Sequence, residues 1–211
     1  METYYLKCVD STQLFLESAL KNGRLKPPIA VWTLNQTDGV GSRSNRWLGL
    51  KGNLALSFAL PQNALSADLP LQSASLYFGF LFKESLSRFG TAAWMKWPND
   101  LYLNRKKIGG VITKFFESLF ICGIGLNMLP PNEEFGALEI ACNPEALLAD
   151  YLKSVQRGES WDAIFSRFAI EYELNREYEI HLEGRKVPLR DSALNADGSI
   201  TIGNERVFSK R

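Results

Sequence analysis

The chain is 211 residues long, which allows one sizeable core and at most a small appendage. Its 24 Lys plus Arg against 23 Asp plus Glu leave a formal charge of +1, without the clustered positive field that bulk nucleic-acid binding requires. At 45% hydrophobic residues it is too apolar for a disordered chain, and its longest mostly apolar stretch, Leu119 to Leu129, is about half the ~20 residues of a membrane helix.

In chain order, Tyr4 to Val9 reads as a short strand, and Asp10-Ser11-Thr12 supplies capping side chains for a helix of about ten residues. Pro27-Pro28 ends any helix, and Ile29 to Leu34 is apolar and β-branched enough for a buried strand. Asn35 to Asn53 is polar and glycine-rich, a length of loop that compact domains usually keep for function. Leu54, Leu56 and Phe58 alternate with Ala55, Ser57 and Ala59 as a strand. Leu71 to Phe89 has helical spacing with its apolar side chains largely on one face, and Gly90 stops it. Ala93 to Trp97 forms a strand, Pro98-Asn99-Asp100 a turn, and strands follow around Lys107 to Phe115 and Leu119 to Leu126. Pro144 to Val155 and Trp161 to Leu174 are expected helices. From Glu177 onward short strands are separated by Glu183-Gly184, Asp197-Gly198 and Gly203-Asn204, pairs that tolerate positive φ. The last ~35 residues therefore form a small β module that must dock on the main body, being too short to stand alone. The expected domains are residues 1–175 and 176–211.

Scarcity narrows the chemistry. One histidine, His181, lies in a strand-like segment, and Cys8, Cys122 and Cys142 are scattered. A soft-metal site lacks the residues it needs, and a histidine-based triad would depend on His181 alone, which reads better as a strand or surface residue. With no signal-peptide pattern at the start, the thiols read as reduced and buried, and the expected location is the cytoplasm. Chemistry must run on Lys, Arg, Asp, Asn and backbone groups.

Three segments stand out. In the long loop, Gln36-Thr37-Asp38-Gly39-Val40-Gly41-Ser42-Arg43-Ser44-Asn45-Arg46-Trp47, the glycines allow close backbone approach, and Arg43 and Arg46 offer forked donors for phosphate or carboxylate. A solvated surface loop fits the same composition. In Lys96-Trp97-Pro98-Asn99-Asp100, followed by Lys107 and Gly109-Gly110, hard oxygens meet an ammonium across a hairpin beside a strand bare enough for a bulky ligand. An exposed hairpin with a basic tip is the alternative. Gly123-Ile124-Gly125-Leu126-Asn127 is a strand ending in an amide, which a simple bulge explains as well.

Together, Ser11-Thr12 at a helix start, Gln36-Thr37-x-Gly39-x-Gly41 with Trp47, Lys96 to Asp100 with Lys107 and Gly110, and Gly123-x-Gly125-x-Asn127 resemble the bacterial biotin protein ligases. The resemblance runs along the whole chain. It implies an α+β fold, a mixed β-sheet with helices packed on one side, followed by a small SH3-like β-barrel. It also implies activation of biotin by ATP as biotinyl-5′-adenylate and transfer to one lysine of a biotin carboxyl carrier protein. Lys107 would bridge the biotin carboxylate and the α-phosphate. Ser11, Thr12, Gln13, Gln36, Gly39, Gly41, Ser42 and Gly110 would hold biotin. Arg43, Arg46, Trp47, Asn99, Asp100 and Asn127 would hold the nucleotide, with Asp100 meeting its Mg²⁺. A tightly bound metal is not expected. Because the core starts at residue 1, the resemblance is to the single-function form, with no operator binding and no membrane. The family often dimerises through its sheet, so a homodimer and a monomer are both implied assemblies. A lipoate ligase or lipoyl transferase, and a non-catalytic biotin-binding protein, are the competing functions.

One departure matters. Most members carry Gly-Arg-Gly-Arg-x-Gly-Arg in the loop, and here Val40 and Ser42 replace two of those arginines. Arg43 is the first substitute contact for the adenylate phosphate and Arg46 the second. Faster release of the adenylate is the expected consequence.

Overall fold

Strand alternation sorts this chain's side chains onto two unlike faces of one sheet. The computed structural model describes residues 1–41, 46–47, 49–182 and 184–208. Seven strands form the sheet: β1 (Glu2–Tyr5), β2 (Ile29–Thr33), β5 (Leu54–Pro61), β6 (Trp94–Lys96), β7 (Asp100–Leu103), β8 (Lys106–Phe116) and β9 (Leu119–Leu126). Their spatial order is β1-β2-β5-β9-β8-β7-β6, with β1 and β2 parallel and every other neighbouring pair antiparallel. The parallel pair needs a crossover, and helix α1 (Thr12–Lys21) supplies it.

On one face Leu54, Leu56, Phe58 and Leu60 of β5 join Phe120, Cys122, Ile124 and Leu126 of β9 in the main core. Helices α2 (Ala74–Arg88), α3 (Pro144–Arg157) and α4 (Trp161–Glu171) cover that face. α2 is buried nearly all round from Ala74 to Phe82, because it lies between the sheet and the other two helices. Its Phe78 sits edge-on to Phe58 with ring centroids 5.1 Å apart, and truncating so buried a ring costs about 3–5 kcal/mol. α1 alone packs on the opposite face, where Leu16 meets Ile29, Val31, Ala59 and Ile121. The mixed sheet with helices expected from sequence is thus present, with α1 set apart from the other three.

Local chemistry explains the helix ends. Ser11 caps α1 by accepting from the Leu14 N–H, and Asn143 caps α3 by accepting from the Glu145 and Ala146 N–H groups. Gly158 closes α3 in the left-handed region at φ 60°.

The C-terminal β segment forms two small sheets, β10–β11 (Glu179–Leu182, Arg185–Pro188) and β12–β13–β14 (Ala193–Leu194, Ile200–Ile202, Glu205–Val207). They are consistent with an SH3-like module, although among the described residues no hydrogen-bonded closure makes them a barrel. Ile180, Leu189, Ile200 and Val207 belong to the main core. The Trp97 and Trp161 indole N–H groups donate to the Gly198 and Ala196 carbonyls at 2.9 and 2.8 Å. Docking is therefore polar as well as apolar.

Four local expectations are corrected. The first strand is Glu2–Tyr5 rather than Tyr4–Val9, since the Leu6 N–H still bonds to Trp32 but the chain then turns away toward α1. A strand not foreseen, β7, begins at Asp100 and separates Lys96 from Lys107, so three strands replace the expected hairpin. The long loop contains a short hairpin, β3 (Gly39–Val40) with β4 (Arg46–Trp47). Cys8 is exposed and Cys142 half-buried rather than buried, while Cys122 is buried; none of the three is in a disulfide. His181 lies on β10 as a surface residue, as expected. No helix among the described residues is long and apolar enough to cross a membrane.

Candidate active site

The face that carries α1 is built from small residues where β5, β9 and β8 lie side by side. Register pairs Ala55 with Gly125, Gly125 with Gly110, and Gly110 with Asp100; the next row pairs Ser57 with Gly123 and Gly123 with Ile112. Side chains of paired residues share a face, so these rows leave a shallow floor of backbone. Above it lies a cavity of about 400 Å³. Of the two consecutive glycines, Gly110 faces the cavity, whereas a Cβ on Gly109 would meet Leu101 at 3.0 Å on the other side.

One end of the cavity is neutral and hydrogen-bonded. Ser11, Thr12 and Gln13 at the start of α1 are buried there, 2–3% exposed. Gln36 Oε1 accepts from the Thr12 N–H at 2.9 Å and from its hydroxyl at 3.2 Å, and the Ser57 hydroxyl donates to Thr12 Oγ1 at 2.9 Å. Gln13 Nε2 donates to Glu17 at 3.0 Å, but Gln13 Oε1 is buried with no partner. A Cβ on Gly123 would stand 2.7 Å from that oxygen, so the glycine is what keeps its place over the floor. A buried acceptor left unbonded costs about 1–3 kcal/mol, which a ligand N–H would recover.

The other end is charged. Lys107 on β8 extends its ammonium to Asp100 Oδ1 at 2.6 Å, with side chains 28% and 22% exposed. Asn99 donates its amide to the Val111 carbonyl at 2.7 Å, which holds the Asn99 backbone against β8. Asn127, 1% exposed, donates to the Gly136 carbonyl and accepts from Asn53. Its polar atoms brace the segment after β9, which brings Pro131 and Phe135 to the cavity wall. The hairpin β3–β4 forms the roof. Trp47 lies against the bare backbone of Gly125, where a Cβ would overlap its indole, and Gly39 is packed against Trp47 Cβ. Arg46 lines the cavity and pairs with Asp38 at 2.7 Å.

The motif Lys96 to Asp100 divides its labour. Lys96 is outside the cavity lining, its ammonium over the Tyr102 and Tyr178 rings at 5.5 and 5.9 Å. Burial holds its pKa below the ordinary lysine range, with Lys107 acting in the same direction and Asp100 and Glu179 opposing. Burial, aided by Asp100, pushes Tyr102 up to about 12. Trp97 anchors the C-terminal module, and only Asn99 and Asp100 reach the cavity.

The structure gathers Ser11, Thr12, Gln13, Gln36, Gly41, Arg46, Trp47, Asn99, Asp100, Lys107, Gly110 and Asn127 around one cavity. Gly39 is part of the roof hairpin, packed on Trp47 and not lining the cavity, and Ser42 and Arg43 lie outside the described residues. Ala55, Ser57, Ile112, Pro131 and Phe135 also line it and were not anticipated. The strict large–small alternation in β5 carried a signal for Ala55 and Ser57, whereas Pro131 and Phe135 arrive only through tertiary contacts of an irregular segment. Among the described residues no group of three or more His, Cys, Asp or Glu is placed to hold a metal ion.

Residues 5–127 match the model of the biotin/lipoate A/B protein ligase family. The bifunctional ligase/repressor BirA of Escherichia coli is 32% identical over 132 residues, 58% of this chain and 39% of its own length; the chain therefore spans about two-fifths of that relative. A crystal structure of biotin acetyl coenzyme A carboxylase synthetase from Helicobacter pylori with bound biotinylated ATP superposes with a TM-score of 0.94 at 37% identity, covering 99% of this chain and 100% of the other. The biotin protein ligase of Aquifex aeolicus, in complex with biotin and ATP, gives a TM-score of 0.78 at 24% identity, covering 98% of this chain and 94% of that one, a likeness of fold.

Proposed function

This chain belongs to the biotin/lipoate A/B protein ligase family, and from that premise we propose that it is an ATP-dependent biotin–protein ligase. A biotin carboxylate oxygen attacks the α-phosphorus of ATP, the bond to pyrophosphate breaks, and biotinyl-5′-adenylate remains. A lysine amine of a biotin carboxyl carrier protein then attacks the acyl carbon, AMP leaves, and the amine loses a proton. The Helicobacter pylori synthetase, with its bound biotinylated ATP, supplies a precedent that covers 99% of this chain.

The observation that carries the proposal is the polarity of the cavity: a neutral, buried hydrogen-bonding end and a charged end bearing Lys107 and Asp100 share one flat floor of small residues. A fused ring bearing a urea group needs buried donors and acceptors at one end, and Gln13 Oε1 is an acceptor awaiting an N–H. A lipoyl group has no such N–H and would leave that end unpaired, a mismatch that sites of this kind reject strongly. The first step brings two anions together, so the chain's task is to position and neutralise them. Lys107 sits where it meets both the carboxylate and the α-phosphate, and Arg46 approaches the phosphate from the roof. Asp100 is the carboxylate that would meet a magnesium ion arriving with the nucleotide, and such an ion would offset phosphate charge. Residues 1–175 form the catalytic domain in this assignment and 176–211 the small β module, and the activity belongs in the cytoplasm, where thiols outside disulfides stay reduced.

Incubation with biotin, ATP and a biotin carrier domain should add one biotinyl mass to the carrier lysine. Pyrophosphate–ATP exchange should depend on biotin and not respond to lipoate. Exchange supported equally by lipoate, or no exchange at all, would overturn the proposal.

A further inference from the structure

Among the described residues two cations line the cavity, and each already has a carboxylate partner. Lys107 meets Asp100 at 2.6 Å and Arg46 meets Asp38 at 2.7 Å. The settings differ. Lys107 and Asp100 are about three-quarters buried on adjacent strands of the sheet, whereas Arg46 and Asp38 are 70% and 65% exposed and clasp the two arms of the roof hairpin. The Asp38 arm is fastened at its base, since the Asp38 N–H donates to the Asp10 carbonyl at 2.8 Å and the Thr37 hydroxyl to the Asp10 carboxylate at 2.9 Å. Asp10 in turn precedes Ser11, the cap of α1. Arg46 rides the other arm, opposite Val40 and next to Trp47 on its glycine seat.

We infer that Asp38 is a positioning residue that competes with the anionic intermediate for Arg46 and so sets how long the roof retains it. The inference rests on the ligase assignment, which supplies the acyl-adenylate phosphate as the competing anion. An ion pair between two exposed side chains is worth little against water. It holds the Arg46 guanidinium over the cavity mouth without locking it. A phosphate inside the cavity offers the same forked donors an equivalent acceptor. Each time Arg46 returns to Asp38, the roof gives up one contact with its cargo. Val40 adds no charge at its place in the hairpin, so this exchange governs the roof cation that the structure describes.

The test is the dissociation rate of a non-hydrolysable biotinyl-sulfamoyl adenosine, chased with excess unlabelled analogue. Asp38→Asn should slow release about two- to fivefold, the range an exposed ion pair supplies. Asp38→Glu should keep the wild-type rate, and about 0.5 M salt should shrink the difference between Asp38→Asn and wild type. In an Arg46→Met background, Asp38→Asn should have no effect, a result that a merely structural role for Asp38 would not give. Release from Asp38→Asn at or above the wild-type rate, or the same slowing without Arg46, overturns the inference. A wild-type chain that holds no analogue overturns the ligase assignment, and this inference with it.

Discussion

Replacing Lys107 by Met removes the ammonium while keeping most of the aliphatic stem. In the free protein the loss is moderate. The pair with Asp100 at 2.6 Å is about three-quarters buried on each side, and the remaining water access keeps the cost of removing one partner to about 1–3 kcal/mol of stability. In the proposed adenylation the same ammonium would face a carboxylate and a phosphate that repel each other. Removing one preorganised donor from such a site costs about 10²–10³ in rate, or ~2.7–4 kcal/mol in the barrier. The variant also leaves Asp100 as a third negative charge without its partner, which pushes the loss toward the upper end. Biotin-dependent pyrophosphate exchange at saturating substrates measures the rate, and a urea midpoint measures the fold. A folded Lys107→Met protein within threefold of the wild-type exchange rate would refute the reasoning, because no other described cation reaches the charged end from the sheet.

Other substitutions separate binding from stability. Gln13→Met removes the orphaned buried oxygen, so thermal stability should hold or rise slightly while biotin affinity falls about tenfold, read by titration calorimetry. Gly125→Val puts a Cβ where its three nearest atoms all belong to the Trp47 indole, at 2.4–2.8 Å, so the roof should be displaced and analogue release should quicken about tenfold or more. Acid should weaken the fold below about pH 4. Burial raises the Asp197 pKa, but Ser199 and Arg206 outweigh it and hold the carboxyl below its ordinary range. A pKa depressed on folding contributes stability above the unfolded value, and that contribution is lost as pH falls through the folded value. Asp197→Asn should flatten that decline in urea midpoints measured from pH 3 to 7.

Much of the molecule was legible from local chemistry. The cap at Ser11, the Asn143-Pro144 start of α3 and the Gly-containing turns of the C-terminal strands are short-range signals, and each stands where expected. Lys107 and Gly110 could be singled out because an ammonium and a bare strand position are conspicuous together. β7 was missed because four residues beginning with Asp after a Pro-Asn turn carry too little pattern. The β3–β4 hairpin has two residues per strand, so its existence depends on Trp47 finding Gly125 across 78 positions of sequence, arithmetic that no window reads. Cys8 was taken for a buried thiol from residue type alone, and the turn that exposes it is set by where β1 leaves the sheet.

The floor of the cavity carries a consequence for how the chain must fold. Its even-handed split between bulky and bare strand positions means that sliding β9 by one residue against β5 would thrust Ile124 and Leu126 into the cavity and leave glycines in the core. Such a molecule would lose its open floor and its hydrophobic interior at once. One strand alignment therefore sets both, and neither can shift without the other.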